Sequence, residues 1–272
     1  MPRVTAINVY PIKSCGGIAR QSAEVRARGL VSDRRYMLVD ADGTFITQRR
    51  HPRLALTRVA DDGDDGFRVD APGHSTLRLP WVWPSGPRVE VTVWRDRVQA
   101  TALPDEIGAW FEDLVEMPCR IVYMPDGWHR AVPNEAAAPG DEVSFADAAP
   151  MLLTSEASLE DLCSRLPSPI SMRRFRPNIV VDGDGPFVED GWRRIAIGET
   201  ELEVAWPSTR CVLTTIDPDT GVKDPAGEPL RTLRTFRRGP NGVLFGQNVI
   251  PRRLGTIRVG DRVEVLERAP AA

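Results

Sequence analysis

At 272 residues with 42% hydrophobic content, the chain can bury one large core or two ordinary ones and needs no disulfide or metal staple. A formal charge of −3, with the many arginines interleaved among Asp and Glu, argues against nucleic-acid and membrane-surface partners. Cys15, Cys119, Cys163 and Cys211 lie far apart with no C-x-x-C, and the three histidines are isolated. A zinc knuckle and a dithiol redox motif are therefore excluded, and a reducing compartment suits these thiols.

The N-terminal stretch MPRVTAINVYPIKS has no apolar run of signal-peptide or membrane-spanning length, so a cytoplasmic protein is expected. Val4–Tyr10 alternates as a strand does, and Pro11 ends it. Lys13 and Ser14 then fall in a turn that Gly16 and Gly17 make permissive. An ammonium, a hydroxyl and backbone N–H groups can together hold an anion there, although on the pattern alone a plain surface turn is favoured. Lys13 and Lys223 are the only lysines among 35 basic residues, so a compact ammonium stands out against an arginine default. Glu24–Leu30 reads as a strand and turn, and Asp33–Val39 leads into a strong strand. Asp42-Gly43 predicts a hairpin with Thr44–Gln48 as its second strand. Unaided, Arg34 reads as a surface arginine.

From Pro52 to about Val122 short strands are expected at Leu54–Val59, Gly66–Asp70, Thr76–Leu79, Arg88–Val93 and Val98–Ala100. The acidic run Asp61–Gly66 lacks the ligand spacing of a calcium loop and reads as a hairpin turn. Ile107, Trp110, Phe111 and Leu114 place one amphipathic helix over Pro104–Val115, with the aromatics in the core. Nothing in this region carries chemistry. Pro125–Asp141 is a long loop rich in Pro, Gly and Ala, a candidate lid. Asp147 precedes Pro150–Thr154, and Ser155 with Ser158 opens a helix running to Leu166. Such a helix start can be an ordinary cap and can also attract phosphate. In FRPNIVV, Phe175–Val181, Pro177 forces an extended entry into a buried strand. Arg176 and Asn178 flank it, placed either to satisfy loop backbone or to meet a ligand.

Ile195–Ile197 and Thr200–Ala205 predict a hairpin about Gly198 that feeds WPSTRCVLTTIDPDTG, Trp206–Gly221. Cys211 is read at the junction of a polar loop, Pro207–Arg210, with a strand through Val212, Leu213 and Ile216. That placement holds a group rigidly yet within reach, and a neighbouring guanidinium favours the thiolate that attacks or binds metal. A small buried thiol is the bland alternative. Leu233–Arg237 and Val243–Gly246 follow, and Gln247 and Asn248 could line a pocket or a turn. Thr256–Val259 and Arg262–Leu266 are expected to close the chain as a hairpin around Gly260-Asp261. Many short strands, two or three helices and no alternating strand–helix units argue for a mixed α+β, strand-dominated protein with a β-barrel.

Thr209-Arg210-Cys211 with the TTIDPDTG after it, YPIKSC, FRPNIVV and FGQN at Phe245–Asn248 together resemble the MOSC family. The likeness is closest to bacterial relatives of the mitochondrial amidoxime-reducing component, and runs from about Val4 to Leu266. It implies a MOSC β-barrel built from residues 1–34 and 122–272, with an N-terminal MOSC module of strands and a helix, 35–121, inserted between. It further implies a molybdenum cofactor (Mo-molybdopterin) with Cys211 as the metal's protein ligand. Lys13, Ser14, Arg34, Asp147, Ser155, Arg176, Asn178, Thr209, Arg210 and Asn248 would bind that cofactor, Arg34 through its phosphate. The implied activity is reduction of small N-hydroxylated compounds such as amidoximes, hydroxylamines and N-hydroxylated bases. The family likeness includes a bacterial relative with an additional C-terminal iron–sulfur domain; no cysteine follows Cys211 here, so a separate electron-donor protein, of ferredoxin, flavoprotein or cytochrome type, is expected. A rival is a cofactor carrier or sulfur-transfer protein with a persulfide on Cys211. The sulfurase relatives that do this are fused to a pyridoxal-phosphate desulfurase, for which 272 residues leave no room.

Overall fold

In the computed structural model, which describes residues 1–269, strands dominate and helices are few. The first half holds β1 Val4–Val9, β2 Ile18–Arg20, β3 Ser22–Arg26, β4 Gly29–Leu30, β5 Tyr36–Val39, β6 Arg58–Asp61, β7 Gly66–Asp70, β8 Leu77–Pro80, β9 Arg88–Val93, β10 Asp96–Ala102, α1 Asp105–Val115 and β11 Arg120–Tyr123. The second half holds β12 Met151–Ser155, α2 Glu156–Ser164, β13 Ile179–Val181, β14 Trp192–Ile197, β15 Thr200–Arg210, α3 Leu230–Phe236, β16 Arg238–Gly239, β17 Gly242–Arg253, β18 Gly255–Arg258 and β19 Val263–Arg268. None of the described helices is long and apolar enough to cross a membrane.

The largest sheet runs β19-β14-β15-β17-β12-β13-β1-β2, with β16 attached to β17. All its pairs are antiparallel except β12 with β13, whose parallel pairing needs the crossover that α2 begins. The N-terminal strands are completed by the C-terminal half: β1 pairs with β13, and β3 pairs with both β18 and β4. A second sheet, β5-β11-β10-β9, and a third, β6-β7-β8, come from the region between. Strand β11, which spans the boundary expected at 122, pairs wholly within the second sheet.

Separate apolar clusters sit behind these sheets. Val4, Ile7, Leu153, Ile195, Leu202 and Val249 pack under the large sheet, and Tyr36, Leu54, Phe67, Phe111 and Leu114 pack where the third sheet meets α1. As expected for an amphipathic helix, Phe111 and Leu114 are fully buried; Trp110 packs at the edge and donates to the Ser75 carbonyl. Under β17 the rings of Phe175 and Phe245 stack at 3.9 Å.

Four local expectations fail, some to local turn chemistry and some to pairing across the sheets. Thr44–Gln48 does not become a strand: Thr44 and Phe45 make single bridges, and the chain then folds into a turn in which the Thr47 carbonyl accepts from Arg50 and His51. Leu54–Val59 starts as the 3-10 turn Pro52–Leu56, because proline favours helix initiation and lacks the N–H a ladder needs. Pro207–Arg210 belongs to β15, with Pro207 tolerated at a register shift against β17, while Val212–Thr215 is a 3-10 turn closed by the Thr214 and Thr215 hydroxyls. β18 and β19 join different sheets, because β18 finds β3 and β19 finds β14.

Replacing Phe245 by Ala empties a fully buried ring site; the expected loss is about 3–5 kcal/mol of stability, read as an earlier urea midpoint with unchanged slope.

Candidate active site

The turn after β1 packs too closely for a side chain at either glycine. A Cβ at Gly16 would lie 2.3 Å from the Thr57 carbonyl oxygen, and one at Gly17 would lie 2.6 Å from the Tyr10 ring. This packing directs Lys13 inward, where Nζ donates to the Phe145 carbonyl at 2.7 Å and to Asp147. Burial brings the Lys13 pKa down to about 8 against the opposing pull of the Asp147 charge. Burial acts to raise the Asp147 pKa, but Lys13 and Arg49 overcome it and hold the carboxyl well below the usual range.

Arg34 is fixed from behind. The Asp33 carboxylate, with no exposed side-chain surface, accepts from the Tyr10 backbone N–H at 2.8 Å, Asn178 Nδ2 at 3.0 Å and Arg34 Nη1 at 2.5 Å. Asn178 Oδ1 accepts from Arg34 Nη1 at 2.8 Å and from the Leu152 N–H, and its Nδ2 also reaches the Asn8 carbonyl. The Asn178 amide is thus spent inside the protein, tying β1 to β13 and bracing Arg34. The guanidinium groups of Arg34 and Arg176 both lie over the Tyr10 ring, 4.4 and 4.3 Å from its centroid. Arg176 Nη1 donates to the Cys15 carbonyl, whereas its Nη2 is buried without a partner.

Cys211 follows β15 and precedes the 3-10 turn Val212–Thr215, and its thiol is half-buried. Its neighbour Arg210 reaches Ser208 Oγ at 2.9 Å and the Phe175 carbonyl at 2.7 Å, leaving Nε buried and unpartnered. Burial lowers the Arg210 pKa to about 10. The charged donor to the thiol is another residue, Arg49, whose Nε lies 3.0 Å from Sγ and whose Nη2 lies 2.7 Å from Asp147. Trp94 stands beside them, with its ring 4.5 Å from the Arg49 guanidinium and its Nε1 donating to Asp147 at 3.1 Å.

These groups surround one cavity of about 490 Å³. Ten of the eleven residues singled out in the sequence line it, including the exposed Thr209 and the buried Ser14 and Asn248. Ser155 is the exception: its hydroxyl caps α2 by accepting from the Ser158 N–H and donates to the buried Glu189, so it is consumed as a structural cap away from the cavity. Gln247 also faces elsewhere, donating to Asp190. Arg49 and Trp94 line the cavity without having been picked from sequence. Six cations meet two carboxylates in the lining. Four of the seven non-glycine residues with left-handed backbone among the described residues, Ser14, Arg34, Trp94 and Arg176, also lie there, and such strain gathers where a site over-determines the chain.

Residues 1–118 match the MOSC N-terminal beta barrel domain and residues 140–264 match the MOSC domain. The chain is 36% identical over 280 residues to mitochondrial amidoxime-reducing component 1 of Mus musculus, covering 97% of this chain and 82% of that relative. The chain belongs to the MOSC family. Its similarity extends to the Homo sapiens component 1, at 35% identity with the same coverage, and to component 2 of Rattus norvegicus, at 35% over 96% of this chain and 82% of the relative. In this MOSC chain the motifs shared out along the sequence converge on the one cavity, which separates them from coincidental matches.

Asp33→Ala leaves Arg34 and Asn178 without their buried acceptor. The expected cost is about 3–5 kcal/mol in denaturant unfolding, because removing one partner strands the other's charge.

Proposed function

We propose that this protein holds a molybdenum cofactor in the cavity and reduces small N-hydroxylated compounds, amidoximes, hydroxylamines and N-hydroxylated bases, to amidines and amines. One observation carries the reading: the Cys211 thiol shares its cavity with the buried, unpartnered nitrogens of Arg176 and Arg210. The donor set fits the cofactor. A thiolate suits a soft metal site, and guanidinium groups with free N–H bonds suit a phosphate. The relatives' names supply the direction of the chemistry, since they are amidoxime-reducing components.

In this reading Arg176 and Arg210 take the phosphate, Arg34 and Lys13 add positive charge, and Thr209, Ser14 and Asn248 offer polar contacts to the pterin. Cys211 ligates the metal, with Arg49 donating to the sulfur and fixing its direction. When bound, the reduced molybdenum cofactor would supply two electrons to the substrate as it takes up the oxygen atom. The net conversion, R–NHOH with two electrons and two protons to R–NH2 and water, requires the protein to deliver protons as well as orient the substrate. Lys13 Nζ, whose pKa is lowered to about 8, is the lining cation suited to giving up a proton, and it is paired with the more exposed carboxylate of Asp147. Electrons come from a separate donor protein, and the four free thiols suit a reducing cytoplasm.

The reading is tested by measuring molybdenum per chain, and pterin fluorescence after oxidation, for the wild type and Cys211→Ala produced in a host that makes the cofactor. The wild type should carry near-stoichiometric metal and pterin and turn over an amidoxime with an artificial reductant. The variant should lose metal by more than the roughly 10–100-fold that follows loss of a ligand's supporting partner. A wild type with neither metal nor pterin sinks the reading, and a stable Cys211 persulfide without turnover replaces it with sulfur transfer.

A pH profile gives an independent check. The Lys13 ammonium is present below about pH 8 and lost above it, so kcat/KM should fall as pH rises through about 8. In Lys13→Arg, which stays charged, that limb should flatten.

A further inference from the structure

Trp94 occupies a position its backbone does not suit. Val93 pairs with Asp96 across β9 and β10, so Trp94 and Arg95 form a two-residue turn. The φ of Trp94 is +58°, and Arg95 is not in the left-handed region. A hairpin turn with positive φ at its first central position ordinarily places glycine there. A bulky indole in that place is strained, and strain of this kind persists where the surroundings hold the residue for a purpose.

Three contacts set the ring's orientation. Nε1 donates to Asp147 Oδ1 at 3.1 Å, the Phe45 ring lies 4.9 Å away at 54°, and the Arg49 guanidinium sits 4.5 Å from the indole centroid. Two of these partners, Asp147 and Arg49, also hold Lys13 and Cys211, so the ring is indexed to the thiol rather than to the bulk of its own sheet. Trp94 nevertheless remains 47% exposed, the only exposed Trp, Tyr or Phe among the described residues, while lining the cavity. A fixed, half-exposed aromatic plane at the opening of a site is a stacking surface.

We infer that Trp94 selects planar substrates: the conjugated or aromatic body of an N-hydroxylated compound stacks on the exposed indole. This rests on the function proposed above and adds the preferred substrate shape. Trp94 contacts the body of the substrate and leaves the N–O chemistry to the groups around Cys211.

The test uses two amidoximes with one head group, benzamidoxime and acetamidoxime, whose bodies are a ring and a methyl. Their binding to the oxidised holoenzyme, without reductant so that nothing turns over, is measured by calorimetry for the wild type, Trp94→Gly and Trp94→Phe. Glycine suits the turn backbone, and a thermal melt verifies that each variant is folded. The wild type should prefer benzamidoxime, and Trp94→Gly should cut that preference by about tenfold, with Trp94→Phe restoring most of it. In turnover the loss should fall on KM rather than kcat. A preference that survives in Trp94→Gly, an equal loss for both compounds, or no preference in the wild type overturns the inference. The two readings fail separately. A Trp94-dependent preference without reduction of either compound leaves the stacking surface standing and removes the proposed activity. Reduction of both compounds, with the preference unmoved in Trp94→Gly, does the reverse.

Discussion

Six cations crowd the lining of one cavity that holds two carboxylates, and much of the surrounding structure serves to keep them there. Left to themselves, like charges at this density would swing outward to water. Instead, five of the six are tied down: Arg34 by Asp33 and Asn178, Lys13 by Asp147 and a carbonyl, Arg210 by Ser208 and the Phe175 carbonyl, Arg49 by Asp147 and Arg176 by the Cys15 carbonyl, while Arg95 is exposed. The Tyr10 ring lies under two guanidinium groups and offsets part of their repulsion without adding negative charge. Burial still tells, since the Lys13 and Arg210 pKa values are both lowered. For Lys13 the sign is clear: the folded state is penalised while the ammonium is present below about pH 8, and the penalty fades as pH rises toward the unfolded value of 10.5. A cavity kept in that condition is prepared for an anion.

The convergence depends on strands distant in sequence. β1 ends at the Lys13 turn and pairs with β13, which follows Arg176 and Asn178, so the two ends of one antiparallel pair bring these groups together. β15 and β17, paired from Glu201 to Arg210 with register shifts along the way, deliver Cys211 and Asn248 to the same cavity. The second sheet adds its share through connections rather than strand interiors: Arg49 comes from the turn after β5, and Trp94 from the turn between β9 and β10. The rigid part of the site is thus built on the large sheet, and the groups nearest its opening come from loops of the region between.

What could be read from the sequence follows from this division. Cys211, Lys13, Arg34 and Arg176 sit in motifs whose neighbours are fixed by strand ends and tight turns, so local pattern and family likeness both point to them. Arg49 carries no such mark, because arginine is the default base of this chain and the Thr47–His51 turn that aims it interrupts what reads as a hairpin strand. Trp94 was illegible for the opposite reason: no local rule puts tryptophan at a glycine-type turn position. The surroundings of Cys211 were inverted, strand before and turn after, because pairing with β17 outweighed the polar look of Pro207–Arg210. Ser155 shows the converse. Its cap motif is correct, but the group that consumes its hydroxyl is Glu189, 34 residues away and invisible to any local pattern.

Asp147 is where these strands of argument meet. One carboxylate takes Lys13, Arg49 and Trp94 Nε1, and so couples the buried ammonium, the donor to the thiol and the exposed ring. Because its pKa is held well below the usual range, mild acid does not discharge it, and the arrangement around Cys211 keeps its charge from acid through neutral pH. The group that changes first is Lys13, on the alkaline side. Losing that proton leaves Asp147 with Arg49 as its remaining cationic partner, so the carboxylate should tighten on the guanidinium that also serves the thiol. The buried lysine and the sulfur are thus linked through two hydrogen-bonded side chains, Asp147 and Arg49.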